Sequence, residues 1–270
     1  ASLFLIQRRD FYRILPIPIF GFYPLGTNQN LIVEALLVII PLTGILVHWA
    51  KTSAERKLLI LSMVLMGLVA LGTLSRAGWL AVCLELVVYV IFYLRKNIRS
   101  IMPIVLISLV LFLPLGFYFT QLISSEISRQ ATENRSLLTA IAVDNFWYHP
   151  YLGNGAGTYT DLVGRNRDYI KMFGEPLDSH GVVQKLLAEL GLLGLVTFFM
   201  FVGDIAWRIR KPFRQAMTNS QRQILLACLI TFTGGLFFQF FNTSYFIDKL
   251  WLPIGVSLAA VRLIEEKKLL

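Results

Sequence analysis

Residues 31–49 read LIVEALLVIIPLTGILVHW, an apolar run within the roughly 17 to 25 residues that a helix needs to cross a bilayer. The same reading picks out 58–74, 77–94, 101–119, 186–207, 224–241 and 250–264 as further spans. Residues 1–7 read as the tail of one more apolar segment. No basic stretch precedes them as in a signal peptide, so the chain is expected to be the C-terminal part of a longer protein. The fold class that follows is all-α, a polytopic transmembrane bundle of about seven spans plus an N-terminal stub. Its expected divisions are transmembrane helices over 1–119, one long, partly helical external loop over 120–185, and C-terminal transmembrane helices over 186–270.

Composition agrees with this reading. Of the 270 residues 56% are apolar and only 15% charged, against about 25% charged in an average soluble domain. A mean hydropathy of +0.65 excludes intrinsic disorder and speaks against a soluble enzyme. The net charge of +9 invites a nucleic-acid partner, but its distribution removes that reading. The loops 51–57, 95–99 and 208–223 and the C-terminal tail fall on one side of the bundle. They hold 14 Lys and Arg against Glu55, Glu265 and Glu266, a net +11, and the rest of the chain carries −2. By the positive-inside rule the basic side is cytoplasmic. Residues 8–30, the Ser75-Arg76 junction and the interval 120–185 then lie outside. Cys83 and Cys228 sit singly in apolar runs and have no metal-ligand spacing.

The external interval is too long for a simple connector, at about 65 residues. Its opening, 121–143, has helical spacing of apolar residues, and a turn-rich stretch follows over 149–157. Four places draw attention. Arg76 has almost no loop to hold it in water, so it either snorkels to the headgroups or, between Ser75, Ala77 and Gly78, binds a phosphate bidentately. Arg135, in Glu133-Asn-Arg-Ser-Leu-Leu, reads in isolation as a solvated helix charge. His180, in Asp178-Ser-His-Gly before the helix that opens at Val182, is either a satisfied interfacial histidine or a general base with Asp178 to orient it. Gly153-Asn-Gly-Ala-Gly157 lacks the spacing and the preceding strand of a dinucleotide loop and reads as a tight turn. Glu34, Glu85 and Glu189 lie in apolar runs and are expected to face the interior, as partners for a buried arginine.

Taken together the motifs resemble the O-antigen ligase and polymerase family of bacterial envelope glycosyltransferases. The stretches that carry the resemblance are Gly26-Thr-Asn-Gln-Asn30, Thr73-Leu-Ser-Arg-Ala-Gly78 and Asn134-Arg-Ser. With them go Phe146-Trp-Tyr-His-Pro-Tyr-Leu-Gly-Asn-Gly-Ala-Gly157 and Ser179-His-Gly-Val-Val-Gln-Lys-Leu-Leu-Ala-Glu-Leu-Gly-Leu-Leu-Gly194. The last is the most specific, and it departs at Gly181, where the family usually has Asn.

The resemblance implies an inverting glycosyltransferase of the bacterial inner membrane that builds envelope polysaccharide such as lipopolysaccharide, with its site facing the periplasm. It implies an undecaprenyl-diphosphate-linked glycan as donor, a hydroxyl on a lipid, glycan or protein as acceptor, and no cofactor, metal or nucleotide sugar. In that scheme His180 is the base, and Arg76 and Arg135 stabilise the departing diphosphate. Asp178 and Tyr159 are further substrate-binding candidates. Phe146, Trp147, Tyr148, Tyr151 and Tyr159 either stack on sugar faces or pack the core of the loop. Two rival readings are a small-anion transporter, such as one for bicarbonate, and a non-catalytic scaffold for envelope assembly. The transporter reading calls for broken helices at the membrane midplane and internal repeats; no clear repeat is found.

Overall fold

The computed structural model describes residues 3–8, 11–16, 18–93, 125–214, 218–243 and 248–266. A short hairpin of β1 (Leu3–Arg8) and β2 (Phe11–Pro16) comes first. Three helices follow, α1 (Gln29–Trp49), α2 (Ser53–Gly72) and α3 (Arg76–Tyr93). Then come α4 (Ser125–Tyr148), α5 (Tyr159–Arg165) and α6 (Arg167–Phe173). The chain closes with α7 (Val182–Arg210), α8 (Asn219–Phe238) and α9 (Asp248–Glu265). Two compact units are formed. The first is Ala1–Ile123 with Ala206–Phe238 and Asp248–Leu270; the second is Ser124–Ile205 with Gln239–Ile247.

In the first unit α8 is the central helix and packs on α1, α3 and α9, while α2 packs on α1. Residues 224–232 of α8 are buried without a break, as expected of a helix that is apolar on every side. Val33 and Leu37 of α1, Ala81 of α3 and Phe238 form one cluster; Ile32 and Leu36 meet Ala70 of α2 in another. Helix starts are set by side chains. Asn28 accepts the Leu31 N–H at 3.1 Å to begin α1. Thr52 and Glu55 form a reciprocal capping box at α2. The Ser75 hydroxyl accepts the Gly78 N–H at 3.2 Å and donates to Asn30 Oδ1 at 3.0 Å, so it both opens α3 and ties it to the start of α1. Lys249, at the start of α9, donates to the carbonyls of Leu25 and Leu31.

Helices stand at six of the expected spans, and 101–119 lies outside the described residues. Among the described residues three helical segments are long and apolar enough to cross a membrane: Gln29–Trp49, Val182–Phe213 and Asn219–Phe238. The N-terminal stub is a correction. Leu3–Arg8 is not the end of an apolar helix but a strand paired antiparallel with Phe11–Pro16, in the register Leu3↔Pro16 to Arg8↔Phe11. The sequence Arg8-Arg9-Asp10 ends the apolar run after a few residues, which suffices for a strand and not for a span. The interval 120–185 contains α4, α5 and α6, and they pack in one unit with the first part of α7.

At Gly78 the helices α1 and α3 lie close together, since a Cβ there would fall on the Val33 side chain. Replacing Gly78 with Val is expected to lower stability by about 1–3 kcal/mol through overpacking, read as a fall in thermal midpoint in detergent. Gly67→Ala, on an open face of α2, is the control and should leave the midpoint unchanged or raise it.

Candidate functional site

The second unit is built on the apolar face of α4. Leu138, Ile141 and Ala142, at helical spacing, pack on Tyr159, Leu162 and Val163 of α5 and on Tyr169 of α6. Two phenols lock the register: Tyr159 donates to the Leu138 carbonyl at 2.7 Å and Tyr169 to Asn134 Oδ1 at 2.8 Å. Arg135 stands between these two anchor points in sequence and projects from the exposed face of α4.

Helix α7 is broken at Gly191, where φ is 63° and ψ is −161°, a conformation open to glycine alone. The break releases the carbonyls of Ala188 and Glu189 and the amides of Leu192 and Leu193, and the loop after α4 takes up all four. Asn154 and Gly155 donate their backbone N–H to the Ala188 and Glu189 carbonyls at 3.0 and 2.8 Å, and the Asn154 amide adds a second bond to Ala188 at 2.9 Å. In return Leu192 and Leu193 donate to the carbonyls of Pro150 and Tyr151 at 2.8 and 3.2 Å. Backbone lies so close to backbone that a Cβ on Gly153 would strike Glu189, and one on Gly191 would strike Tyr151. The glycine-rich turn and the glycine of the helix are therefore two halves of one joint.

His180 comes just before α7. The Ser179 hydroxyl bonds to both the N–H and the carbonyl of Gly181, and the Val182 N–H donates to the Gln239 carbonyl at 2.8 Å. The bend leads into a partly buried ion cluster. Lys185 Nζ lies 2.6 and 2.8 Å from the two Asp178 oxygens and 3.8 Å from Glu189 Oε1, and that oxygen accepts the Tyr159 N–H at 3.1 Å. The cation partnering Glu189 is thus a lysine one turn earlier rather than an arginine. Asp178 also accepts its neighbour's N–H, from Ser179, at 2.7 Å. The His180 ring is half-buried. Desolvation lowers its pKa below 6.5, the nearby charge of Arg135 lowers it further, and Asp178 opposes both.

The expected site residues divide accordingly. Arg135 and His180 are brought within electrostatic reach of each other. Asp178 stays close to the histidine, but its oxygens are taken by Lys185 and the Ser179 amide. Tyr159 does not present a face to a substrate: it is 0% exposed, its hydroxyl and amide are both used, and burial raises its pKa. Arg76 belongs to the first unit, exposed on the first residue of α3 behind the Ser75 cap. A Cβ on Gly181 would overlap the Gln184 carboxamide, so a side chain at 181 would require Gln184 to move. Lys185 and Asn154 carry structural bonds that sequence reading did not assign. The spacing of Lys185, four residues before Glu189 and seven after Asp178, is the signal that would have found it. Among the described residues no three His, Cys, Asp or Glu side chains are grouped to hold a metal ion.

A family model described as O-Antigen ligase matches residues 61–199, a little more than half of the chain. The match runs from α2 through α7 and takes in Arg76, Arg135, the 149–157 turn, His180 and the Gly191 break. No curated protein matches the chain.

Three substitutions test the joint and the ion cluster by thermal unfolding in detergent. Gly191→Ala should cost about 2 kcal/mol or more, from a backbone conformation closed to alanine and from collision with Tyr151. Lys185→Met, which leaves two carboxylates without their buried cation, should cost about 3–5 kcal/mol, and Lys185→Arg should cost less.

Proposed function

The chain belongs to the O-antigen ligase family, and from that premise we propose that it transfers a glycan from an undecaprenyl-diphosphate-linked donor to a hydroxyl acceptor. Membership of the family and the apolar helices mark it as an integral membrane protein of glycosyl transfer. The finer reading is ours. Seven spans carry the +11 loops on the cytoplasmic side of the bacterial inner membrane, and the unit with α4, α5 and α6 works on the periplasmic side.

The observation that carries the reading is the state of His180. A sugar hydroxyl is a weak nucleophile and gains from a base that is free to accept its proton. Burial and the charge of Arg135 disfavour the imidazolium and Asp178 opposes them, for a net shift below 6.5 that favours the basic form of the ring. His180 takes the hydroxyl proton as the oxygen attacks the anomeric carbon. The bond from that carbon to the diphosphate breaks, the lipid diphosphate leaves with the electron pair, and the configuration inverts. Arg135 and Arg76 are assigned to the phosphates, where guanidinium groups stabilise the charge that develops on departure.

Arg135 serves both parts of this scheme. In the free protein its charge adds to the desolvation that disfavours the imidazolium. Once the diphosphate neutralises it, the imidazole becomes more basic at the moment a proton must be taken.

The pH profile of glycan transfer in proteoliposomes tests this. The acid limb of kcat/KM should lie below the ordinary histidine value of 6.5, and the limb of kcat should lie higher, because donor binding cancels the Arg135 charge. Arg135→Gln should move the kcat/KM limb to higher pH and Asp178→Asn to lower pH. His180→Ala should lower kcat by about 10²-fold or more. Arg76→Ala should reduce transfer in a complementation assay at equal protein level. A profile indifferent to Arg135, together with full transfer by His180→Ala, sinks the assignment.

A further inference from the structure

Four large side chains of the second unit lie outside both its core and its site. Trp147 and Tyr148, at the end of α4, are 71 and 80% exposed; Tyr151 and Leu152, in the following loop, are 70 and 73% exposed. The core of the unit is filled by Tyr159, Tyr169 and their neighbours instead. A cluster of this kind on a water-facing surface marks an interaction site.

Its position says what covers it. The bonds from Leu192 to the Pro150 carbonyl and from Leu193 to the Tyr151 carbonyl seat the cluster against the first turn of α7 beyond the break. From that turn onward α7 exposes Leu192, Leu193, Val196, Met200 and Phe201. These lie on a segment long and apolar enough to cross a membrane, so in a bilayer they face acyl chains. The aromatic cluster continues this lipid-facing stripe at its end. Length fixes the depth. Residues 192–210 span about 28 Å as a helix, close to the roughly 30 Å of a hydrocarbon core. Arg208 and Arg210 occupy their far end, so Gly191 and the cluster bonded beside it fall at the opposite boundary. Tryptophan and tyrosine, apolar bodies with a polar tip, are the side chains that favour that level.

We propose that residues 147–152 are a membrane-surface anchor, with the rings of Trp147, Tyr148 and Tyr151 at the phospholipid headgroups and Leu152 reaching toward the acyl chains. The anchor holds the unit that carries His180 and Arg135 at a fixed depth on the bilayer.

The test uses the full chain in phosphatidylcholine and phosphatidylglycerol vesicles, with Trp49, Trp79, Trp207 and Trp251 replaced by Phe so that Trp147 alone reports. Emission should be shifted to the blue of tryptophan in water. It should be quenched more by lipids brominated near the headgroup than by lipids brominated near the chain end. A nitroxide on Leu152→Cys, in a Cys83→Ala and Cys228→Ala background, gives a second reading that needs no tryptophan removed. It should be more accessible to oxygen than to an aqueous nickel complex, unlike a control label at Arg165→Cys on the exposed side of α5. Water-like emission untouched by brominated lipid, or a Leu152 label that matches the Arg165 control, overturns the proposal. So does quenching that responds to added polysaccharide and not to lipid, which would make the cluster a sugar platform.

Discussion

A helix that stops bonding to itself for a single residue must find partners for the groups it releases, and the organisation of the second unit follows from how Gly191 meets that demand. Each buried backbone group left unpaired costs about 1–3 kcal/mol, and the penalty grows where no water can reach. The loop after α4 replaces the missing turn bond for bond: two amides of Asn154 and Gly155 to two carbonyls, two carbonyls of Pro150 and Tyr151 to two amides. Such a fit tolerates no side chain at the crossing, which explains why glycine stands at both 153 and 191. The turn over 149–157 is thus a fixed part of the scaffold rather than a ligand-binding flap.

The buried charges use the same scaffold. Lys185 is held between Asp178 before α7 and Glu189 at the break, and Glu189 in turn receives the Tyr159 amide at the start of α5. A lysine with two carboxylates costs desolvation and gains little net stability over apolar packing. What it contributes is position, since it ties the bend bearing His180 to α7 and α5 at once. Arg135 is placed from the other direction, by two tyrosines that fix α4 on either side of it. The histidine and the arginine are therefore carried on separate supports, and neither support depends on a contact between the two.

Much of this was legible in the sequence, for identifiable reasons. Helical spans announce themselves through length and hydropathy, so the described helices stand where the apolar runs put them. The junction at Ser75 and the turn at 149–157 were visible because capping and glycine-rich turns depend on residues near in sequence. The hairpin was missed because a few apolar residues look the same at the end of a helix and in a strand. Tyr159 stayed open between two uses because nothing local distinguishes a tyrosine that stacks on a sugar from one that fills a core; its burial comes from α4, some twenty residues earlier. The joint itself was out of reach. Its two halves are more than thirty residues apart, and only the fold shows that one glycine motif exists to receive the other.

The break also marks a change of surroundings along α7. Before it the helix carries Lys185 and Glu189, and both are turned inward against protein. Beyond it Leu192, Leu193, Val196 and Met200 are turned outward. In water this order would be wrong twice over, with charge buried and oil exposed. It makes sense for a helix that leaves a protein unit and enters lipid at that residue, because the cost of exposing an apolar side chain vanishes there while a charge must stay sheltered. The transfer proposed for this chain, from a lipid-linked donor to a polar acceptor, calls for both environments near the reacting bond. The break at Gly191 thus separates the buried turns that follow the His180 bend from the outward apolar stripe of the same helix.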